Sequence, residues 1–217
     1  MERPVGFIGL GIMGRPMALN LSRAGVPLLV YDLNPAAVEP LTENGAKAAG
    51  SVKEIGEKCA LILFSLPNGQ IVEETIFGVQ GLVSSLHPGT LLCDMSSITM
   101  TQAVRFAQRL RQEADCSYMD SPVSGGEQNA IKGTLTIMAG CSPEQFEQMR
   151  PYYGIIGSSF YRMGDVGMGC VAKLCNQIIV TSNITAICEA AAFAEKFGVD
   201  LDVLFRTLRC GSAYSAM

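Results

Sequence analysis

Over its first three quarters the chain alternates between short continuous apolar runs and longer stretches with helical spacing. Runs at residues 5–10, 28–31, 60–65, 90–94, 117–120, 134–139 and 160–163 are short, and several are apolar throughout, as strands buried on both faces of a parallel sheet should be. The intervening segments read as helices. Residues 13–24 carry a helical apolar pattern that stops before Gly25, and Asn34-Pro35 and Ser142-Pro143 each place a capping side chain before a first-turn proline. Strands alternating with helices predict an α/β fold: a Rossmann-type, mostly parallel sheet built from βαβ units. After Gly164 the pattern changes. Residues 166–196 hold no proline and, past Gly169, no glycine, which predicts one helix of roughly 40 Å with apolar residues on more than one face. One further helix is readable at 201–208 before the chain reaches Gly211-Ser-Ala-Tyr-Ser-Ala-Met217 without another element. The expected organisation is therefore a sheet domain over 1–164 and, over 165–217, the start of an incomplete all-helical domain or a helix that packs on another subunit.

Composition narrows the classes. Of 217 residues, 48% are hydrophobic and 17% charged, enough for one sizeable core, and 23 glycines without a period mark turns rather than a repeat. A net charge of -4 offers no footprint for a nucleic-acid backbone. Of the eight cysteines, Cys59, Cys93, Cys116 and Cys141 are widely separated and read as small core residues. With no Cys-x-x-Cys pair and a single histidine, no metal site is expected. The N-terminal Met1-Glu-Arg-Pro-Val-Gly6 has no long apolar segment, and no stretch is read as reaching the roughly 18 apolar residues a membrane span requires. A soluble protein of the reducing cytoplasm is expected.

Chemistry concentrates at four places. The first strand leads into Gly9-Leu10-Gly11-Ile12-Met13-Gly14, a Gly-x-Gly-x-x-Gly turn ahead of a helix. Its glycines permit a tight turn, close approach of a pyrophosphate and close helix-to-strand packing, and the helix N-terminus offers N–H groups to the anion. Asp32 ends the second strand, where a carboxylate accepts from both ribose hydroxyls of an adenosine and repels a 2′-phosphate, favouring NAD over NADP; alternatively it turns the chain ahead of Asn34-Pro35. Ser124-Gly125-Gly126 forms a second glycine-bearing loop, suited to a carboxylate or to an ordinary turn. Within the long helix, Lys173 shares a face with Asn176 and Gln177 at i+3 and i+4. A buried lysine loses basicity and becomes useful for proton transfer; an exposed one simply snorkels.

Taken together, Gly6-Phe-Ile-Gly-Leu-Gly-Ile-Met-Gly-Arg-Pro-Met-Ala-Leu-Asn-Leu21, Ser65-Leu-Pro67, Asp94-Met-Ser-Ser-Ile98, Asp120-Ser-Pro-Val-Ser-Gly-Gly-Glu127, Gly133-Thr-Leu-Thr-Ile-Met138 and the Lys173 stretch resemble the β-hydroxyacid dehydrogenase family. The resemblance implies NAD(P)-dependent interconversion of a short hydroxyacid and its semialdehyde, of the 3-hydroxyisobutyrate or 2-hydroxy-3-oxopropionate type. It implies that Gly9, Leu10, Gly11, Ile12, Met13 and Gly14 hold the pyrophosphate, that Leu66, Pro67 and Ser97 line the cofactor site, and that Ser124, Gly125 and Gly126 bind the substrate carboxylate. Lys173 becomes the catalytic residue, with Asn176 and Gln177 orienting substrate and lysine. The related 6-phosphogluconate dehydrogenases carry His and Asn where Asn176 and Gln177 stand, which argues against that rival. Family members continue through several more helices, so a catalytically silent dinucleotide-binding module is the alternative from another class. A homo-oligomer formed through the C-terminal helices is expected.

Overall fold

Alternate residues of the apolar runs bury on opposite faces of one sheet. The computed structural model describes residues 3–213. Among them the strands are β1 (Val5–Ile8), β2 (Leu28–Tyr31), β3 (Lys47–Ala48), β4 (Leu61–Phe64), β5 (Leu91–Asp94), β6 (Ser117–Asp120), β7 (Val123–Ser124), β8 (Leu135–Gly140) and β9 (Gly157–Gly164). The helices are α1 (Gly14–Arg23), α2 (Pro35–Glu43), α3 (Val52–Lys58), α4 (Gly69–Phe77), α5 (Met100–Ala114), α6 (Gly126–Lys132), α7 (Pro143–Ile156), α8 (Met168–Lys196) and α9 (Leu201–Leu208). On one face of the sheet Val5, Phe7, Leu63, Cys93 and Met119 join Met17 and Leu21 of α1 and Tyr153 of α7. On the other, Ile8, Ile62, Phe64, Leu92 and Tyr118 join Ile55, Val72 and Phe106 from α3, α4 and α5. Each large apolar side chain removed from water in this way stabilises the fold by about 1.5–3 kcal/mol.

The strand order β3-β2-β1-β4-β5-β6-β8-β7, with β9 on β8, is parallel from β3 through β6, and β8 runs antiparallel to β6 and β7. Its first six strands follow the Rossmann order 3-2-1-4-5-6. The chain reverses direction across the sheet between β1 and β4, which opens a crevice beyond their carboxyl ends. The expected strand over 5–10 stops at Ile8 because Gly9 turns the chain at φ 90°. β3 and β7 escaped the sequence reading, since two residues carry no periodicity.

The chain divides into two compact units, Met1–Lys173 and Leu174–Met217. In the second, α8 ends at a glycine turn: Gly198 has φ 74° and Val199 N–H returns to the Ala194 carbonyl at 3.0 Å. The Asp200 side chain then caps α9. Ile178, Ile179 and Phe193 of α8, and Phe197 just beyond it, are all more than 60% exposed, so much of the apolar material of α8 is uncovered in this chain. The expectation that no stretch reaches the apolar length of a membrane span is corrected in one respect: by length and composition alone α8 is long and apolar enough, an 18-residue window within it having a mean hydropathy of 1.3. Scattered polar residues interrupt its apolar runs without lowering the average of that window below that of a span. Residues 214–217 of the tail, and Met1 and Glu2 of the N-terminal segment, lie outside the described residues.

One close approach holds the start of α8 to the sheet. A Cβ on Gly169 would stand 2.2 Å from the Met138 carbonyl oxygen and 2.8 Å from Asp120 Oδ2, and one on Gly140 would stand 2.8 Å from the Gly169 nitrogen. Backbone meets backbone here, with no flexible atom to yield. Gly169→Ala is therefore expected to lower stability by about 1–3 kcal/mol in urea unfolding; an unchanged midpoint would show that the helix start moves freely.

Candidate functional site

The sequence places glycine where the first βα turn has no room for anything else, with one exception. A Cβ on Gly14 would lie 1.9 Å from the Gly9 carbonyl oxygen, and one on Gly9 would lie 2.3 Å from the Ser65 carbonyl oxygen. A Cβ on Gly11 would meet nothing within 4 Å. The first and third glycines thus serve the fold, whereas the second leaves open space over the backbone. Met13, the residue before α1, supplies no side-chain cap to it. By contrast α2, α3, α4, α5 and α7 are capped by Asn34, Ser51, Asn68, Thr99 and Ser142. The first-turn donors of α1 face a crevice of about 670 Å³ lined by Gly9, Gly11, Ile12, Met13, Asp32, Leu66 and Pro67, among others. Open backbone, uncapped helix and crevice together fit the pyrophosphate of a dinucleotide. Leu10 itself is buried beneath the turn rather than lining it.

Asp32 turns the chain ahead of α2, as one of its two readings expects, and also holds the glycine turn. Its Oδ1 accepts from Asn34 N–H at 2.7 Å, turning the chain into α2, and its Oδ2 accepts from Leu10 N–H at 2.6 Å. The carboxylate thereby ties the glycine turn to the end of β2 and still lines the crevice. Each oxygen keeps acceptor capacity for a ribose hydroxyl.

Leu66 and Pro67 follow β4 on the opposite wall of the crevice, and their position is fixed from β5. Leu66 N–H donates to Ser96 Oγ at 2.9 Å, and Ser96 N–H donates to Asp94 Oδ1 at 2.8 Å. Asp94 Oδ2 accepts from the Tyr118 hydroxyl at 2.6 Å. Burial pushes the Asp94 carboxyl and the Tyr118 phenol upward, and the bonds from Ser96 and Tyr118 oppose that rise at Asp94. Ser97 is exposed one residue beyond this chain of bonds. Sequence reasoning named Ser97 and missed Ser96 and Asp94. The signal available was an acidic residue closing a wholly apolar strand.

The second loop lies at the end of β6. Gly125 and Gly126 have φ of 133° and 68°, conformations that exclude a side chain without strain, and no side chain caps α6. The loop is therefore built on glycine geometry: Ser124 ends β7, paired with Thr136 of β8, and Gly125 and Gly126 are exposed. Lys173, half-buried on α8, donates from Nζ to the Val123 carbonyl at 2.8 Å, one residue before Ser124. Burial lowers its pKa from the ordinary lysine value. Just upstream, the buried Asp120 accepts from Gly167 N–H at 2.6 Å and from Cys170 N–H at 2.7 Å. Burial raises the Asp120 carboxyl, and these two bonds oppose the rise. The structure thus brings together Lys173, the 123–126 loop and Asp120. Asn176 and Gln177 belong to the second unit, where Asn176 Nδ2 donates to Gln177 Oε1 at 3.1 Å.

Comparison with known proteins agrees with this geometry. Residues 4–166 match the family described as the NAD binding domain of 6-phosphogluconate dehydrogenase, and residues 167–217 match NAD-binding of NADP-dependent 3-hydroxyisobutyrate dehydrogenase. The chain is 42% identical over 196 residues to 2-hydroxy-3-oxopropionate reductase of Escherichia coli (strain K12), covering 90% of this chain and 66% of that protein. It is 38% identical over 195 residues to 2-(hydroxymethyl)glutarate dehydrogenase of Eubacterium barkeri, covering 90% of this chain and 64% of that one. It thus spans just under two thirds of the length of these two relatives. The structure of Mycobacterium tuberculosis 3-hydroxyisobutyrate dehydrogenase with L-serine superposes with a TM-score of 0.89 at 28% identity, covering 99% of this chain and 72% of that one. With a Rossmann-ordered sheet, a glycine turn open at its second position and family matches running from residue 4 to residue 217, the chain belongs to the β-hydroxyacid dehydrogenase family.

Proposed function

We propose that the chain forms the dinucleotide-binding and proton-transfer part of an NAD-dependent oxidoreductase that interconverts a short β-hydroxyacid and its semialdehyde. The observation that carries the reading is Lys173: an amine made less basic by burial and held beside the glycine loop at 124–126. Gly9, Gly11 and Gly14 cradle the pyrophosphate, Asp32 receives the adenosine ribose, and Leu66, Pro67 and Ser97 line the rest of the cofactor site. A bound nicotinamide supplies the hydride acceptor in oxidation and the donor in reduction. The N–H groups of Ser124, Gly125 and Gly126 receive the substrate carboxylate and so bring the hydroxyl carbon toward Nζ. In oxidation the neutral Lys173 amine takes the hydroxyl proton as the C–H bond gives up its hydride. In reduction the ammonium returns that proton to the former carbonyl oxygen.

The preference for NAD rests on charge. A 2′-phosphate brought to Asp32 meets a like charge already held in place by two backbone N–H groups, and such juxtaposition costs several kcal/mol. The uncovered apolar side chains of α8 support a homo-oligomer formed through the C-terminal helices.

Four outcomes follow. Lys173→Ala should lower turnover of 2-hydroxy-3-oxopropionate with NADH by roughly 100-fold or more while leaving NAD binding in place. In the wild type, oxidation should rise with pH as Lys173 deprotonates, with an inflection below the ordinary lysine value, and reduction should fall through the same range. Activity within a few-fold in the alanine variant would remove Lys173 from the chemistry; NAD binding without turnover in the wild type would identify a binding module. Asp32→Ser should shift the NAD-to-NADP affinity ratio toward NADP by at least about tenfold in calorimetry, and an unchanged ratio would overturn the charge argument. In sedimentation the chain should run as a dimer or larger, whereas a monomer at high concentration would overturn the oligomer.

A further inference from the structure

Building on Lys173 as the proton-transfer group, we propose that Asp120 is the positioning residue of this site: its buried carboxylate fixes where α8 begins and so aims Lys173 at the 123–126 loop. The chain enters the helix through Gly164, Asp165, Val166 and Gly167, and both glycines have positive φ, 143° and 97°. Such a lead-in does not by itself define the first helical residue. The definition comes from Asp120, whose two oxygens each take one N–H, from Gly167 and from Cys170.

The connectivity makes this bond pattern specific to Lys173. Three residues after Asp120 the chain reaches Val123, and three residues after Cys170 it reaches Lys173. The Asp120–Cys170 bond and the Lys173–Val123 bond therefore close a small ring, each fixing the other. Slippage of the helix by one residue would rotate it by about 100° and carry Nζ away from the loop. The Gly140 and Gly169 backbones resist such slippage from the side of β8. Asp120 does not line the crevice and spends both oxygens on the start of α8; it acts through the helix.

A carboxylate suits this task better than its isostere. Two N–H donors need two acceptors, and asparagine presents one oxygen and one NH2 group, leaving a buried donor facing a donor. The neighbouring Cys170 thiol, raised by burial and then by Asp120, is a weak donor with no role as a counter-charge.

The test uses the 217-residue chain with lysine Cε carbons labelled for NMR and Lys173 assigned by loss of its signal in Lys173→Met. In the wild type that signal should titrate below the other lysines. In Asp120→Asn it should move up toward the ordinary lysine value, and kcat should fall roughly 100-fold with little change in the KM for NADH, whose pyrophosphate turn lies at β1 rather than β6. Rescue is expected for neither Asn nor Ala. A folded Asp120→Asn variant with the wild-type Lys173 titration would overturn the proposal, and so would a downward move, which would mean that Asp120 acts by its charge alone. Should the variant not fold, amide exchange in the wild type decides: Gly167 and Cys170 should be protected, and fast exchange at either would refute the anchor. The spectroscopic results stand apart from the chemistry. If Lys173→Ala kept its turnover, the proton-transfer reading would fall while the titration still reported on Asp120.

Discussion

Two buried carboxylates at matched strand ends organise the edge of the sheet on which the site is built. Asp94 and Asp120 stand in register as the last residues of β5 and β6. A carboxylate deprived of water is costly unless every lone pair finds a donor, so each must recruit partners from neighbouring segments. Asp94 recruits Ser96 and Tyr118. Asp120 recruits the beginning of α8. Among the described residues no buried side-chain nitrogen or oxygen is left without a partner. The demand for satisfaction is thus what draws loops from β4, β5 and β6 into one arrangement.

Glycine does the complementary work of removing atoms. Gly9 and Gly14 let the first turn close on itself and on Ser65, while Gly140 and Gly169 let a helix start lie directly on a strand. These are two uses of the same property at opposite sides of the site. Gly11 differs from all four, because the space beside it belongs to no part of the chain.

Much of this was legible in the sequence. The strands at β2 and β6 fall where the apolar runs put them, and Asn34 and Ser142 cap the helices that their prolines announce. The glycine turn, Asp32 and Lys173 could be named because each is an unusual residue in a regular background. Asp94 and Asp120 could be seen as strand ends, but their partners lie in other segments: Tyr118 is 24 residues from Asp94, and Cys170 is 50 residues from Asp120. Periodicity reports on neighbours along the chain and is silent about such pairs. The close approach of Gly140 and Gly169 was hidden for the same reason, since each glycine looks ordinary alone. The apolar character of α8 was read correctly, but its fitness as a span was missed because averages tolerate scattered polar residues.

The bonds at the start of α8 also bear on which part of the molecule Lys173 is tied to. A side chain five residues into a 29-residue helix would ordinarily inherit every bend of that helix. Here the first turn is held to β6 by Asp120 and lies on β8 at Gly169. The glycine turn, the 124–126 loop and Nζ therefore all belong to one compact unit, Met1–Lys173, built on the same sheet.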